Sequence, residues 1–595
     1  MKSLFYLPAK RLVWVVAAAA VGAVIIVPAA FPFNPDTRVT VGSPPSPFAQ
    51  NKQNEPALAI DAHNPTVLAA GANDEIDLEA CNAGDPTSCP FTAGVGLSGA
   101  YFSFDSGTTW TQPTYTGWTA RDCLGPAPCV PHVGPIGTLP WYFENGLVSD
   151  GDPAVAFGPR PDASGHFSWA NGSRLYYANL AANFSSQRDE QAFKGFEAIA
   201  VSRTDNPQSA AAGNKNAWCI GPVPQGCAPV IVSKQNAALF SDKEAISVDN
   251  AESSPFFGNV YICNAAFRGQ EISPFALPEP IIFSRSTDGG QTWDTKQLSS
   301  AANTGLGQGR QGCTVRADSA GVVYVFWESA SRRKTNPPFF AGAQLMARSF
   351  DGGRTFEQAN PVASVVDCGA PEPVGGFSFD GLAGARTNSF PSVDIANGAP
   401  TGFAQPHNDR IVMTWCDGRS GLNHEQALVQ YSLNRGVSWT GPVNGAEAGD
   451  RPDFPAVAVS PDGGDVYLTY DGFLDPFRTN TTDPRRIQGV VRHAEGGLTG
   501  WATLHRGVVG DARGSSANGL STEFLGDYNY AAATNDYGAA VWNDARDAAV
   551  CDAVNAWRAS LATSSPLPKP APNSDCPSTF GNTDIFGGSY PDPTP

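Results

Sequence analysis

SFDGGRTF, at residues 349–356, reveals the architecture of the chain, because its pattern occurs four times. The other copies are SFDSGTTW at 103–110, STDGGQTW at 286–293 and SLNRGVSW at 432–439. Each copy has Ser, then Asp or Asn two residues later, then Gly, and finally a hydroxyl residue before an aromatic ring. Asp and Ser side chains bond nearby backbone amides and Gly accepts positive φ, so the pattern predicts a tight β-turn with the ring packed beneath it.

This pattern resembles the Asp-box, or BNR repeat, of the sialidase superfamily. The resemblance implies an all-β protein of the β-propeller class, in which the boxes are structural turns away from the active site. It indicates fold more strongly than activity, because the turn itself carries no chemistry.

Seven strand pairs recur between the turns, and they set the number of blades. The first strands begin at Pro56, Pro153, Ala245, Cys313, Pro391, Pro455 and Asn529. Each is followed by a second strand rich in β-branched and aromatic residues, as in VVYVFWE from Val322. The repeats predict one propeller with seven four-stranded blades, and six blades, the number in sialidases, is the alternative. TRVTV at 37–41 could close the ring as an outer strand, and a partly helical insertion occupies about 547–580.

The N-terminus and the cysteines both place the protein outside the cytoplasm. Lys2, Lys10 and Arg11 precede an apolar run to Phe33, which predicts a signal peptide or a signal anchor over residues 1–33 and a propeller over 34–595. Twelve cysteines indicate an oxidising compartment. If neighbours bond in order, the pairs are Cys81/Cys89, Cys123/Cys129, Cys219/Cys227, Cys263/Cys313, Cys368/Cys416 and Cys551/Cys576. The expected location is extracellular, either secreted or anchored to a membrane through the N-terminal segment only.

Composition excludes one class of partner. A net charge of −18 argues against nucleic acid, which requires a basic surface. Seven scattered histidines give no metal or triad signature, so no cofactor is required, although the acidic surface leaves room for calcium. No assembly segment is visible, and a monomer is expected.

The residues that enter the seven first strands should surround the mouth of the central channel. The residue before each strand is Glu55, Asp152, Glu244, Gly312, Phe390, Phe454 or Tyr528. Carboxylates therefore face aromatic rings, which suits sugars because rings stack on sugar faces and carboxylates bond hydroxyls or act as acid and base. The alternative is structural: acids cap the strand entries and rings fill the core.

Three arginines precede that position in successive blades: Arg310, Arg386 and Arg451. In sialidases three arginines grip the substrate carboxylate, a Tyr paired with Glu is the nucleophile and an Asp is the acid/base. The resemblance then implies Tyr528 as nucleophile, Glu523 or Glu244 as its base, and Asp152 as acid/base. The substrate would contact the three arginines and, in addition, Glu55, Phe390 and Phe454. The family's Arg-Ile-Pro motif is absent, since the matching place reads NEPALAID. The arginines could instead pair with acids such as Asp450 and Asp453.

Two functions remain open. One is an extracellular glycoside hydrolase, sialidase-like in its chemistry. The other is a non-catalytic surface propeller that binds glycan or protein, with calcium held by Glu55, Asp152 and Glu244.

Overall fold

A computed structural model describes residues 36–594, apart from 86–87, 188, 233–238, 269–278, 302–307, 336–338 and 400–407. The predicted signal peptide or anchor at 1–33 lies outside this part of the chain. Within it, no helix is both long and apolar enough to cross a membrane.

Seven sheets form the blades, and the main strands of each sheet run in chain order from the inner strand outward. The outermost strand of blade 7 is an exception, because it comes from the start of the chain. Short extra strands, Leu147–Ser149 and Gly510–Asp511, extend the sheets of blades 2 and 6. Blade 1 consists of the strands Gln53–Ile60, Leu68–Asp74 and Ser98–Ser103. Blade 2 consists of Ala154–Pro161, Phe167–Asn183, Ala198–Thr204 and Val230–Ile231. Blade 3 consists of Leu239–Val248, Val260–Arg268, Ile281–Ser286 and Asp294–Gln297. Blade 4 consists of Gln308–Ala317, Val323–Arg333, Phe339–Ser349 and Asn360–Val366. Blade 5 consists of Ser392–Ile395, Ile411–Asp417, Gln426–Ser432 and Val443–Asn444. Blade 6 consists of Arg451–Val459, Asp465–Phe473, Arg486–Glu495 and Thr499–Arg506. Blade 7 is Tyr530–Ala533, Tyr537–Asp544, Asp584–Pro591 and Thr37–Arg38.

The seven inner strands form a closed ring, each in contact with the next and blade 7 with blade 1. Closure uses both ends of the chain: Thr37 and Arg38 pair with Gly587 and Phe586 as the outermost strand of blade 7. The predicted all-β, seven-bladed propeller is therefore confirmed, including the closing role of residues 37–41. Blade 1 differs from the others because only three strands are present, extended by backbone bonds between Phe102 and Thr111.

The core lies between neighbouring blades. Trp415 of blade 5 is fully buried against Tyr324 and Phe326 of blade 4, and Trp542 of blade 7 is fully buried against Val491 of blade 6. Successive side chains of a strand point to opposite faces, so each apolar second strand fills the space on both sides of its blade. This packing joins neighbouring blades through buried clusters of side chains.

The four repeated turns share one set of hydrogen bonds. In the copy at 349–356, the Asp351 carboxylate accepts from the Thr355 amide at 2.8 Å and the Thr355 hydroxyl at 2.6 Å, while the Gly353 amide donates to Ser349 Oγ at 2.8 Å. The copy at 432–439 keeps the pattern with Asn434, whose amide group donates to Ser438 Oγ. The turns lie at the outer side of blades 1, 3, 4 and 5.

Short elements and six disulfides complete the fold. The helices are Pro207–Ala211, Asp552–Leu561 and Pro572–Asp575, and the 3-10 turns are Phe143–Asn145, Lys215–Trp218 and Ala512–Gly514. Other short strands are Tyr115–Thr119, His132–Ile136, Leu147–Ser149, Ala370–Glu372, Gly376–Ser378 and Gly510–Asp511. All six predicted disulfide pairs are present. They are consistent with an extracellular protein.

Candidate functional site

A β-bulge at the entry of the inner strands shapes the mouth of the channel. In blades 1, 3, 4 and 6 the pairing with the second strand shifts by one residue at the same place. The first residue of each bulge has a left-handed backbone conformation. These residues are Glu55, Lys243, Gly312 and Phe454, with φ between 49° and 61°. Asp152 of blade 2 has φ 48° just before its strand. Left-handed conformations are costly for residues other than glycine and cluster at functional sites.

The bulge corrects the predicted alignment of blade 3. Asp242 and Ala245 flank the bulge there, as Asn54 and Ala57 do in blade 1. Lys243 therefore occupies the position of Glu55, and Glu244 occupies that of the following proline. The prediction that Glu244 fills the entry position was wrong, because it aligned Ala245 with Pro56 instead of Ala57.

Lys243 is the centre of the mouth. Its ammonium lies 2.8 Å from Asp152 and 2.7 Å from Asp527, and 3.5 Å from Asp242. Glu55 is a more distant partner at 3.8 Å. The Lys243 side chain is 10% exposed, so these ion pairs are shielded from solvent and gather carboxylates from blades 1, 2, 3 and 7 around one cation.

Arg386 is a second cation at the same place. Its guanidinium contacts Asp527 at 2.6 Å and Glu55 at 3.0 Å, and it lies over the ring of Phe524. The side chain is half exposed, so it forms the solvent edge of the cluster. Both of the cations in this cluster are thus paired with carboxylates.

Burial and the two cations shift the pKa values of these acids in opposite directions. Burial raises the pKa of Glu55 well above its ordinary value, and the adjacent Asp152 charge raises it further. Burial alone would also raise the pKa of Asp152, but the Lys243 ammonium holds it below its ordinary value. Asp527 behaves likewise, since Arg386 and Lys243 outweigh burial and lower its pKa. For Asp242, burial outweighs the attraction of Lys243 and raises the pKa to about 7.

A cavity of about 80 Å³ opens beside this cluster. Phe390 and Phe454 line one side, and Asp527 and Tyr528 line it together with Glu244. Phe390 is only half buried and packs directly on Gly312, where a side chain would collide with its ring. Of the predicted carboxylates, Glu244 lies with the predicted aromatic rings at this cavity, whereas Glu55 and Asp152 do not line it.

Glu244 is the unusual member of the cavity wall. It is 8% exposed, and neither carboxyl oxygen has a hydrogen-bond partner among the described residues. Burial raises the pKa of Glu244 well above its ordinary value, and the Asp152 charge adds to the effect. Burial therefore favours the protonated form of this carboxyl group at the cavity wall.

The surroundings of Tyr528 oppose a phenolate. Burial raises its pKa well above the ordinary value, and the charge of Asp152 raises it further. Lys243, 5.9 Å from the ring centre, is the nearby cation. A nucleophilic tyrosine requires the opposite environment, so this position supports binding through the ring better than nucleophilic attack.

Two predicted site residues, Glu523 and Arg451, are held in ion pairs away from the cavity. Glu523 is buried in an ion pair of 2.6 Å with Arg485. Arg451 is buried against Glu425 at 2.8 Å and donates to the carbonyl groups of Phe379 and Asp475. The side chain of Arg310, which lies in the inner strand of blade 4, falls outside the described residues. The predicted convergence of three arginines thus leaves only Arg386 at the mouth among the side chains that are described.

Calcium binding at the mouth would compete with the ammonium group of Lys243. Two of its three expected ligands, Glu55 and Asp152, already face the ammonium of Lys243. Calcium at this mouth stays a prediction, and it would have to displace that ion pair.

Sequence reasoning missed Lys243, Asp527 and Asn73. Asn73 fixes the two left-handed acids, since its amide donates to Glu55 at 2.8 Å and accepts from the Asp152 backbone at 2.6 Å. Lys243 could have been found by aligning KEAISVD with EPALAID on their shared alanines. Asp527 immediately precedes Tyr528, but no local pattern marks it.

Comparisons with known proteins give fold likeness only. No protein-family model and no curated protein matches the chain. A Hadza microbial sialidase, Hz136, aligns over 70% of this chain and 63% of its own, with 13% identity and a TM-score of 0.35. Trypanosoma rangeli sialidase aligns over 72% and 53%, with 10% identity and a TM-score of 0.35. An α-L-arabinofuranosidase from Fusarium graminearum aligns over 56% and 89%, with 13% identity and a TM-score of 0.29. The chain spans less than two thirds of either sialidase.

Proposed function

We propose that this protein is an extracellular, glycan-acting propeller whose mouth binds an uncharged or basic sugar and cleaves its glycosidic bond. The observation that carries the proposal is that two buried carboxyl groups with opposite pKa shifts line one cavity: the pKa is raised for Glu244 and lowered for Asp527. Two carboxyl groups whose pKa values are driven apart are the acid and base of most glycoside hydrolases.

The roles follow from the protonation states. Glu244 donates its proton to the leaving oxygen, because burial favours the protonated form of its carboxyl group. A water molecule then adds to the anomeric carbon and returns a proton to Glu244, which completes the hydrolysis. Asp527 stays ionised beside Lys243 and Arg386 and supports the positive charge that develops on the sugar ring. Phe390 provides a half-buried ring for the sugar face.

Charge at the mouth favours a neutral sugar over sialic acid. Five carboxyl groups lie at the cavity or around Lys243 beside it: Glu55, Asp152, Asp242, Glu244 and Asp527. Lys243 and Arg386 are neutralised by these acids, and Arg316 at the cavity wall pairs with Asp394 at 3.3 Å. An anionic sugar would therefore meet no cation with an unpaired charge among the described side chains, and this favours substrates other than the sialosides that the Asp-box resemblance implied.

Non-catalytic recognition is the second candidate. It is favoured by Asp527, whose two carboxylate oxygens are both engaged by Arg386 and Lys243, which restrains it as a base or nucleophile. Binding without turnover would be the outcome of this alternative.

Paired glycans test the proposal. Isothermal titration with neutral oligosaccharides and their sialylated counterparts should show binding of the neutral member only. Phe390→Ala should weaken that binding about tenfold, since an aromatic contact contributes about 0.5–1.5 kcal/mol. Phe350→Ala, a ring 52% exposed on a repeated turn, is the matched control and should leave affinity unchanged. Preference for the sialylated member, or no binding to either, would contradict the proposal.

A further inference from the structure

Asp465, His493 and Asp592 form a second cluster of side chains, at the junction of blades 6 and 7. Asp465 begins the second strand of blade 6, His493 lies in the third strand, and Asp592 follows the strand Asp584–Pro591 of blade 7. One potential ligand atom from each side chain lies within 4.8 Å of the others. None of these residues contributes to the mouth.

The distances suit a small tetrahedral metal ion. His493 Nε2 lies 2.8 Å from Asp465 Oδ1 and 4.0 Å from Asp592 Oδ1. Ligand atoms around zinc, with bonds of about 2.0–2.2 Å, stand roughly 3.3–3.5 Å apart, so the two observed distances bracket the expected one. A hydrogen bond between His493 and Asp465 accounts for the first distance but not for Asp592.

Tyr467 supplies an independent observation. It is 2% exposed, its hydroxyl group has no hydrogen-bond partner among the described residues, and its ring lies 5.2 Å from that of His493. Tyr467 lies two residues after Asp465 in the same strand and pairs with His493 in the next strand, so the three side chains lie on one face of the sheet. A buried hydroxyl without a partner is costly, and a metal-bound water or carboxylate would satisfy it.

We propose that Asp465, His493 and Asp592 bind a divalent zinc-like ion that ties the end of the chain to blade 6. One imidazole with two carboxylates favours zinc over calcium, which takes oxygen ligands. Asp592 also donates its backbone amide to Asp536, and Thr594 donates to Glu495 of blade 6. The ion would therefore hold the C-terminal strand of blade 7, through which the ring closes, against blade 6.

Metal content and thermal unfolding of the purified protein test this site, independently of any glycan activity. After incubation with zinc and dialysis, the wild type should retain one zinc per chain and unfold at a higher temperature than the chelator-treated protein. Asp592→Asn, a change at the chain end that preserves shape, should weaken zinc binding at least about 100-fold and abolish the shift.

His505→Gln is the matched control, because His505 is also a histidine of blade 6, is partly buried and lies 3.3 Å from Asp36. It should retain zinc. Absence of saturable zinc binding in the wild type, calcium retained in place of zinc, or equal zinc affinity in Asp592→Asn would each overturn the assignment.

Discussion

Lys243 of blade 3 and Asp527, at the entry to blade 7, are joined across the mouth by an ion pair of 2.7 Å. The same ammonium contacts Asp152, so one buried cation connects three blades at the open end of the channel. The ring of blades and the chemistry of the mouth therefore depend on a shared residue.

Replacing Lys243 should cost much of the protein's stability. Lys243→Met keeps the length of the side chain but leaves buried carboxylates unpaired, which destabilises by about 3–5 kcal/mol. Lys215→Met is the control, because its pair with Glu144 is about 30% exposed and should contribute less than about 1 kcal/mol. Urea unfolding measures both, and equal losses would contradict the central role of Lys243.

Asp249 should make stability fall as pH rises. Burial raises its pKa from 3.8 to about 7, despite a hydrogen bond from Ser254. Between these values the unfolded chain is ionised while the folded chain keeps the proton, so the stabilisation is complete below about 3.8 and is lost as pH rises through about 7. Asp249→Asn should flatten the decline in the free energy of unfolding between about pH 5 and pH 8. An unchanged slope in this variant, or a reduced slope in the exposed control Asp294→Asn, would count against it.

The repeated turns should tolerate Asn but not Ala at their acidic position. Asp351→Ala removes the bonds to the Thr355 amide and hydroxyl and should cost about 1–3 kcal/mol. Asp351→Asn should cost less, because Asn434 already makes the equivalent contacts in the copy at 432–439. Thermal unfolding of the two variants provides the comparison, and equal destabilisation would show that the contacts of the side chain are not what matters.

The disulfides should differ in their contribution according to the loops they close. Cys263/Cys313 spans 50 residues and Cys123/Cys129 only 6. Loop entropy predicts losses of about 4 and about 2 kcal/mol when each pair is replaced by Ser. Guanidinium unfolding of the two double variants tests this order, which would be refuted if the short loop contributed more.

Much of the fold could be predicted because it depends on local chemistry. The turn at 349–356 needs only Ser, Asp, Gly and Thr at fixed spacing, and its four copies mark the repeat. The closing strand at 37–41 is predictable because blade 7 lacks an outer strand of its own. Cysteine order is enough for the disulfides, since sequential blades are neighbours in space.

The site was less predictable, for physical reasons that concern single residues. A one-residue bulge decides whether Lys243 or Glu244 enters the mouth, and strand patterns do not reveal bulges. Arg451 begins the inner strand of blade 6 and Arg386 precedes that of blade 5. Arg451 is held by Glu425 of the preceding blade, while Arg386 contacts Glu55 and Asp527. Such pairings between distant segments have no local signature.

Release of reducing sugar from neutral and sialylated oligosaccharides is the decisive measurement for a hydrolytic mouth, with wild type, Glu244→Gln and Glu328→Gln compared. Glu328 is the matched control, since it is also a buried glutamate with a raised pKa but does not line the cavity. We predict turnover of a neutral glycan, a loss of at least about 100-fold in Glu244→Gln, and little change in Glu328→Gln. Turnover of sialylated substrates alone, or full activity in Glu244→Gln, would contradict the proposed chemistry.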